Sequence, residues 1–195
     1  MYVHSPKLYQ PHWLDQHTYF GAALPAQRRK WLLDEGSLTE HLVRASAGNF
    51  SVAIIAQRWG RPLQNEAMLL DIAPRHRCLL REVFLLCYGK PWVYARSVLP
   101  HASLQGPIRH LRKFGDQPLG QLLFNNPTMR RDPFQFTSLP RNALPNWPPP
   151  GSAVENTSNK NDSNAICMGR RSRFILEKKP LMVSEIFLPA FWQGI

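Results

Sequence analysis

Runs of apolar residues punctuated by turn residues predict most of the elements. Leu79 to Cys87 is almost continuously apolar, Tyr88-Gly89-Lys90-Pro91 reads as a turn, and Trp92 to Leu99 returns as a second strand closed by Pro100. That pattern predicts a β-hairpin. Gly169 to Pro189 repeats it, with Glu177-Lys178-Lys179-Pro180 as the turn. Upstream, Pro25 opens a helix carrying Trp31, Leu32 and Leu33 that stops at Gly36. Ser37 and Glu40 have capping-box spacing for a second short helix, running to about Ser46 before Gly48. Phe50 to Ala56 reads as the first strand and Gly60 to Glu66 as a polar, irregular connection. Further helices are expected from Pro107 to Phe114, with Gly115 as the stop, and from Pro118 through Leu119, Leu122, Leu123 and Phe124. Met129 to Phe136 reads as a strand.

From Ser138 to about residue 166 the composition changes: prolines at 140, 145 and 148–150 precede a polar tract rich in Asn and Ser. This predicts a mobile surface insertion in one domain spanning 1–195, because too little chain follows to form a second core. A hydrophobic fraction of 44% over 195 residues is sufficient for that single core.

Charge adds a preference for anionic partners: 24 Lys and Arg against 13 Asp and Glu leave +11. The three cysteines form no CxxC pair and read as buried free thiols in a reducing compartment. No signal peptide pattern or membrane-length apolar run is visible, so a soluble, cytoplasmic protein is expected. There is no HExxH, Walker loop, GxGxxG or GxSxG, and no nucleic-acid motif accompanies the basic charge.

Candidate chemistry comes from the hairpins. Pairing the first symmetrically about Gly89-Lys90 puts Arg81 opposite Val98 and Val83 opposite Arg96. Arg81 and Arg96 then share a largely apolar face and come within reach of one anionic ligand. In the second hairpin Glu185 is the lone carboxylate on a row with Leu181, Val183 and Phe187. Desolvation there favours the neutral acid, which suits proton exchange near neutral pH; the alternative is an ion pair with Arg96, Arg170 or Arg81. Arg170, Arg171 and Arg173 read as surface or ion-pair residues, and Met129-Arg130-Arg131-Asp132 as a solvated face. The hairpins also match at a constant offset, Arg81 on Arg170, Pro91 on Pro180 and Arg96 on Glu185.

A set of short motifs then occurs in order. Trp31-Leu32-Leu33-Asp34, Gly36-Ser37-Leu38-Thr39, Gln64-Asn65-Glu66 and Leu80-Arg81-Glu82 come first. Gly89-Lys90-Pro91-Trp92, Pro118-Leu119-Gly120, Gly169-Arg170-Arg171-Ser172-Arg173 and Glu185-Ile186-Phe187-Leu188-Pro189-Ala190 follow. From Leu24 to Ala190 the chain resembles the bacterial chorismate pyruvate-lyases, which make 4-hydroxybenzoate and pyruvate from chorismate for ubiquinone synthesis. The resemblance implies an α+β fold, a central antiparallel β-sheet with short helices forming flaps over an enclosed ligand site. It places the ring carboxylate on Arg81 and the backbone amides of Leu38 and Leu119, and the ring 4-hydroxyl on Glu185. Arg96, from the hairpin geometry, is the candidate for the second carboxylate of chorismate. No metal or other cofactor, no nucleic acid and no membrane span are implied, and a monomer is expected. Family members can carry Met where Leu38 stands, a change that a backbone amide survives, and the insertion after Ser138 is longer than the family pattern.

Two other classes compete. Effector-binding domains of bacterial repressors share hairpins of this kind and bind a small ligand without turning it over, but they follow a DNA-reading module for which about two dozen residues leave no room. A basic nucleic-acid binder rests on charge alone.

Overall fold

A computed structural model describes residues 10–20, 24–112, 115, 117–148 and 165–195. Seven strands form one antiparallel sheet: β1 (Phe50–Gly60), β2 (Cys78–Cys87), β3 (Lys90–Pro100), β4 (Arg130–Arg131), β5 (Gln135–Pro140), β6 (Ile166–Leu176) and β7 (Lys179–Phe187). Their order is β1-β2-β3-β7-β6-β4, with β5 also on β6, and the sheet stays open. The helices are short: α1 (Gln16–Tyr19), α2 (Ala26–Leu33), α3 (Leu38–Ala45), α4 (Gln64–Leu70), α5 (Leu119–Phe124) and α6 (Pro189–Gly194). The fold is therefore the expected α+β arrangement. Among the described residues no helix is long and apolar enough to cross a membrane.

Both hairpins form where the pattern places them, but the first is one residue out of the predicted register. Tyr88 and Gly89 (φ 51° and 70°) and Glu177 and Lys178 (φ 49° and 61°) make two-residue turns whose twist matches that of the strands. In the first hairpin Leu86 faces Pro91 while Leu85 faces Val93, so Trp92 is an extra, bulged residue. Arg81 therefore lies opposite Ser97, and Glu82 opposite Arg96. A slip of one residue exchanges the faces of a strand, so Arg96 leaves the face of Arg81. The second hairpin has no bulge, and Arg170 lies opposite Glu185. The same bulge breaks the expected correspondence of Arg96 with Glu185.

Each face of the sheet has its own cover. On the flap face, α3 and α6 seal one end, with Leu42, Val83, Phe136, Phe187 and Phe191 in one apolar cluster. A 3-10 segment, Gly106–Arg112, and α5 seal the other end through Ile108, Leu111 and Leu119 packed on Leu79, Leu99 and Leu181. Each fully buried leucine contributes about 2 kcal/mol of burial free energy. The opposite face packs Phe84, Tyr94 and Ile186 under Leu139 and Trp147, and Leu80, Val98 and Met182 under Leu70 of α4.

Four expectations change. A helix, α4, occupies Gln64–Leu70 where an irregular connection was expected, because the Glu66 carboxylate accepts the Leu63 N–H at 2.8 Å and Ala67 and Leu70 are buried. The strand expected from Met129 to Phe136 splits into β4 and β5 at Asp132-Pro133-Phe134, where Pro133 has no N–H for the ladder. The predicted insertion begins inside folded structure, since β5 runs to Pro140 and Leu139 and Trp147 are buried; residues 149–164 lie outside the described residues. Phe114, the expected end of the third predicted helix, is also outside them, and that helix is the 3-10 segment. Cys78, Cys87 and Cys167 are buried thiols.

Candidate active site

Between the two covers of the flap face runs a polar strip set by the register. Arg81, Ser97, Val183 and Ser172 form one row across β2, β3, β7 and β6. The next row holds Val83, Ala95, Glu185, Arg170 and Phe136. Arg81 and Glu185 thus share a face, two strands and one row apart, which at ordinary sheet spacings is roughly 12 Å between Cα atoms.

Each end of the strip is tied to a different flap. Arg81 is 2% exposed, and its Nη2 donates to the carbonyls of Gly115 and Gln117, both at 3.1 Å, in the loop that leads into α5. Arg170 is equally buried; its Nη1 donates to the carbonyls of Trp31, Leu32 and Asp34 at 2.9, 3.3 and 2.6 Å, around the end of α2. The Nε of Arg170 donates to Glu185 Oε2 at 2.7 Å, so Glu185 is half of an ion pair and not an isolated carboxylate. Among the described residues, Glu185 Oε1 accepts no hydrogen bond.

Leu38 and Leu119 open α3 and α5 respectively, and both are buried. The first N–H groups of a helix have no partner within it. Ser37 fixes the start of α3 by accepting the Glu40 N–H, and Pro118, which cannot donate, fixes the start of α5. The two helix starts are adjacent: a methyl group added to Gly120 would lie 3.2 Å from Thr39 Oγ1. The structure thus brings Arg81, Glu185 and the two flap residues to one side of the sheet.

Arg96 is not among them. On the opposite face its Nε and Nη2 donate to the two oxygens of Glu66 at 2.6 and 3.1 Å, and its Nη1 donates to Glu82. Burial opposes the charge on Arg96, but the two carboxylates outweigh it and raise the pKa above the usual arginine range. The expected pairing of Arg96 with Arg81 fails because of the Trp92 bulge, and its donors are spent within the fold. Arg171 shares that opposite face, donating to Gln135 Oε1 at 2.9 Å and stacking over Trp13, and burial lowers its pKa to about 10. The cavity beside Arg96 and Arg171 measures about 50 Å³, space for a few waters and not for a ring.

Sequence reasoning missed the half-buried position of Arg131. It lies opposite Phe174 on the flap face, with its guanidinium 4.3 Å from the centre of the Phe134 ring. The signal was present in Asp132, which accepts from Arg173 Nε at 2.7 Å on the other face and so turns its neighbour inward.

Residues 11–195 match the family model described as chorismate lyase. A probable chorismate pyruvate-lyase from Hydrogenovibrio crunogenus is 34% identical over 95% of this chain and 95% of its own. One from Pseudomonas putida is 37% identical over 84% of this chain and 81% of its own. Among solved structures, the effector domain of PhnF from Mycobacterium smegmatis has a TM-score of 0.53 at 14% identity, covering 81% of this chain and 91% of that one. At that identity the likeness concerns the fold alone.

Proposed function

The chain belongs to the chorismate lyase family, and from that premise we propose that it converts chorismate to 4-hydroxybenzoate and pyruvate, without metal or cofactor, as a cytoplasmic monomer supplying ubiquinone synthesis. The observation that carries this reading is the placement of Arg81 and Glu185 on one face of the sheet beneath two flaps.

Chorismate carries a ring carboxylate, an enolpyruvyl ether with a second carboxylate, and a hydroxyl on the carbon next to the ether. The hydrogen on the hydroxyl-bearing carbon leaves as a proton, and its electrons complete the aromatic ring. The ring C–O bond breaks with its electron pair on the enolpyruvyl oxygen, and a proton added to the methylene carbon gives pyruvate. Because aromatisation drives the reaction, the protein's task is to orient a dianion and exclude water. Arg81 holds the ring carboxylate with the Leu38 and Leu119 amides, and Glu185 accepts a hydrogen bond from the hydroxyl. The Arg170 pair fixes the Glu185 rotamer.

The test is to mix purified protein with chorismate and a chelator, quench with acid, and quantify both products. Equimolar 4-hydroxybenzoate and pyruvate above the uncatalysed background are expected. A burst near one equivalent followed by a slower phase would assign the limiting step to product release through the flaps. Binding of 4-hydroxybenzoate without turnover would instead make the chain an effector-binding domain.

A further inference from the structure

We propose that Arg131 receives the enolpyruvyl carboxylate of chorismate, the role that Arg96 cannot play. This rests on the function proposed above.

Geometry puts the second carboxylate at the Glu185 end of the strip. The ether oxygen is bonded to the carbon next to the hydroxyl-bearing one, so with the hydroxyl on Glu185 and the ring carboxylate on Arg81, the side chain projects beside Glu185. Among the described residues three sheet arginines belong to the flap face: Arg81, Arg170 and Arg131. Arg81 is at the wrong end. Arg170 is at the right end, but its Nε is committed to Glu185 and its Nη1 to three flap carbonyls.

Arg131 remains, and its surroundings suit the role. Its guanidinium and that of Arg170 lie over the same Phe134 ring, at 4.3 and 4.6 Å from the ring centre. The side chain is 12% exposed, and its nearest carboxylate is Glu35 Oε2 at 4.0 Å, on a side chain that is 85% exposed. A solvated partner at that distance balances a nearly buried cation weakly. Burial and the Arg170 charge lower its pKa, while Glu35, Glu185 and Asp34 pull the other way, so Arg131 and Glu185 lie within electrostatic reach of each other. Among the described residues no hydrogen bond uses the Arg131 donors, and a carboxylate is the group that a planar fork of donors fits best. As the ether bond breaks, negative charge grows on the enolpyruvyl fragment, so a cation there stabilises the transition state as well as the substrate.

The experiment separates substrate from product. 4-Hydroxybenzoate lacks the second carboxylate, so Arg131→Gln should lower kcat/KM for chorismate about 100-fold while changing 4-hydroxybenzoate affinity less than threefold, and Arg131→Lys should show a smaller loss of the same kind. Equal loss of both, the mark of a structural role, or an unchanged kcat/KM, overturns the inference. Should the variants fail to fold, the wild-type protein decides. 3-Carboxymethoxy-4-hydroxybenzoate should then bind at least tenfold more tightly than its neutral carboxamide counterpart, and equal affinities overturn the inference. If the wild type itself does not turn over chorismate, the proposed function fails, a result distinct from either of these.

Discussion

Arg81 and Arg170 occupy equivalent positions in two neighbouring hairpins, each six residues before the strand end that closes its turn, and each ties a different flap to the same face. Arg81 holds the loop before α5, and Arg170 holds the end of α2. The hairpins lie side by side through β3 and β7, so this correspondence puts one anchor on either side of the site. Arg81, proposed above to hold the ring carboxylate, is thereby also the anchor of one flap.

Arg81→Ala is expected to weaken both chorismate and 4-hydroxybenzoate binding by about 100-fold, the value of a charge-assisted pair of roughly 3 kcal/mol. Isothermal titration with 4-hydroxybenzoate measures it directly. An undiminished product affinity would remove the ring carboxylate from Arg81.

Glu185→Gln keeps an acceptor oxygen for Arg170 Nε and another polar atom toward the ligand, so it should retain turnover within about tenfold of wild type. Glu185→Ala leaves the buried Arg170 cation without its carboxylate, and should cost about 3 kcal/mol in urea unfolding and abolish most turnover. If Gln proves as inactive as Ala while folding normally, Glu185 transfers a proton and is more than an anchor.

Arg96→Met should destabilise the fold by about 3–5 kcal/mol, because Glu66 and Glu82 stay behind as buried, unmatched carboxylates. Adding Glu66→Gln and Glu82→Gln should recover much of that loss. 4-Hydroxybenzoate affinity of the folded variants should match wild type, since the cluster faces away from the flaps. A selective loss of chorismate binding would restore Arg96 to the site.

Gly169→Ala tests the packing behind Glu185. A methyl group there would lie 2.2 Å from Ile186 Cδ1 and 3.0 Å from the Glu185 carbonyl, so the Ile186 side chain must rotate and β7 must give by a few tenths of an ångström where it carries the carboxylate. A destabilisation of about 1–3 kcal/mol is expected, with a fall in kcat larger than for an equally destabilising change elsewhere in the core. Matched kcat values would show that the strand position is not critical.

By itself the sequence determined what depends on neighbours along the chain: both hairpins, the Ser37-capped helix, the Pro118 helix start, and Glu185 as the carboxylate of its strand face. Those features follow from alternation, turn chemistry and capping, which act within a few residues. The motif order made Arg81, Glu185, Leu38 and Leu119 legible as candidates. Tertiary structure decided the rest. The Trp92 bulge set the face of Arg96, because one inserted residue reverses every side chain beyond it. Pairing of β4 and β6 brought Arg131 inward, and pairing of β6 and β7 gave Glu185 its arginine. These relations join residues far apart in the chain, and a buried charge takes whatever partner the register supplies.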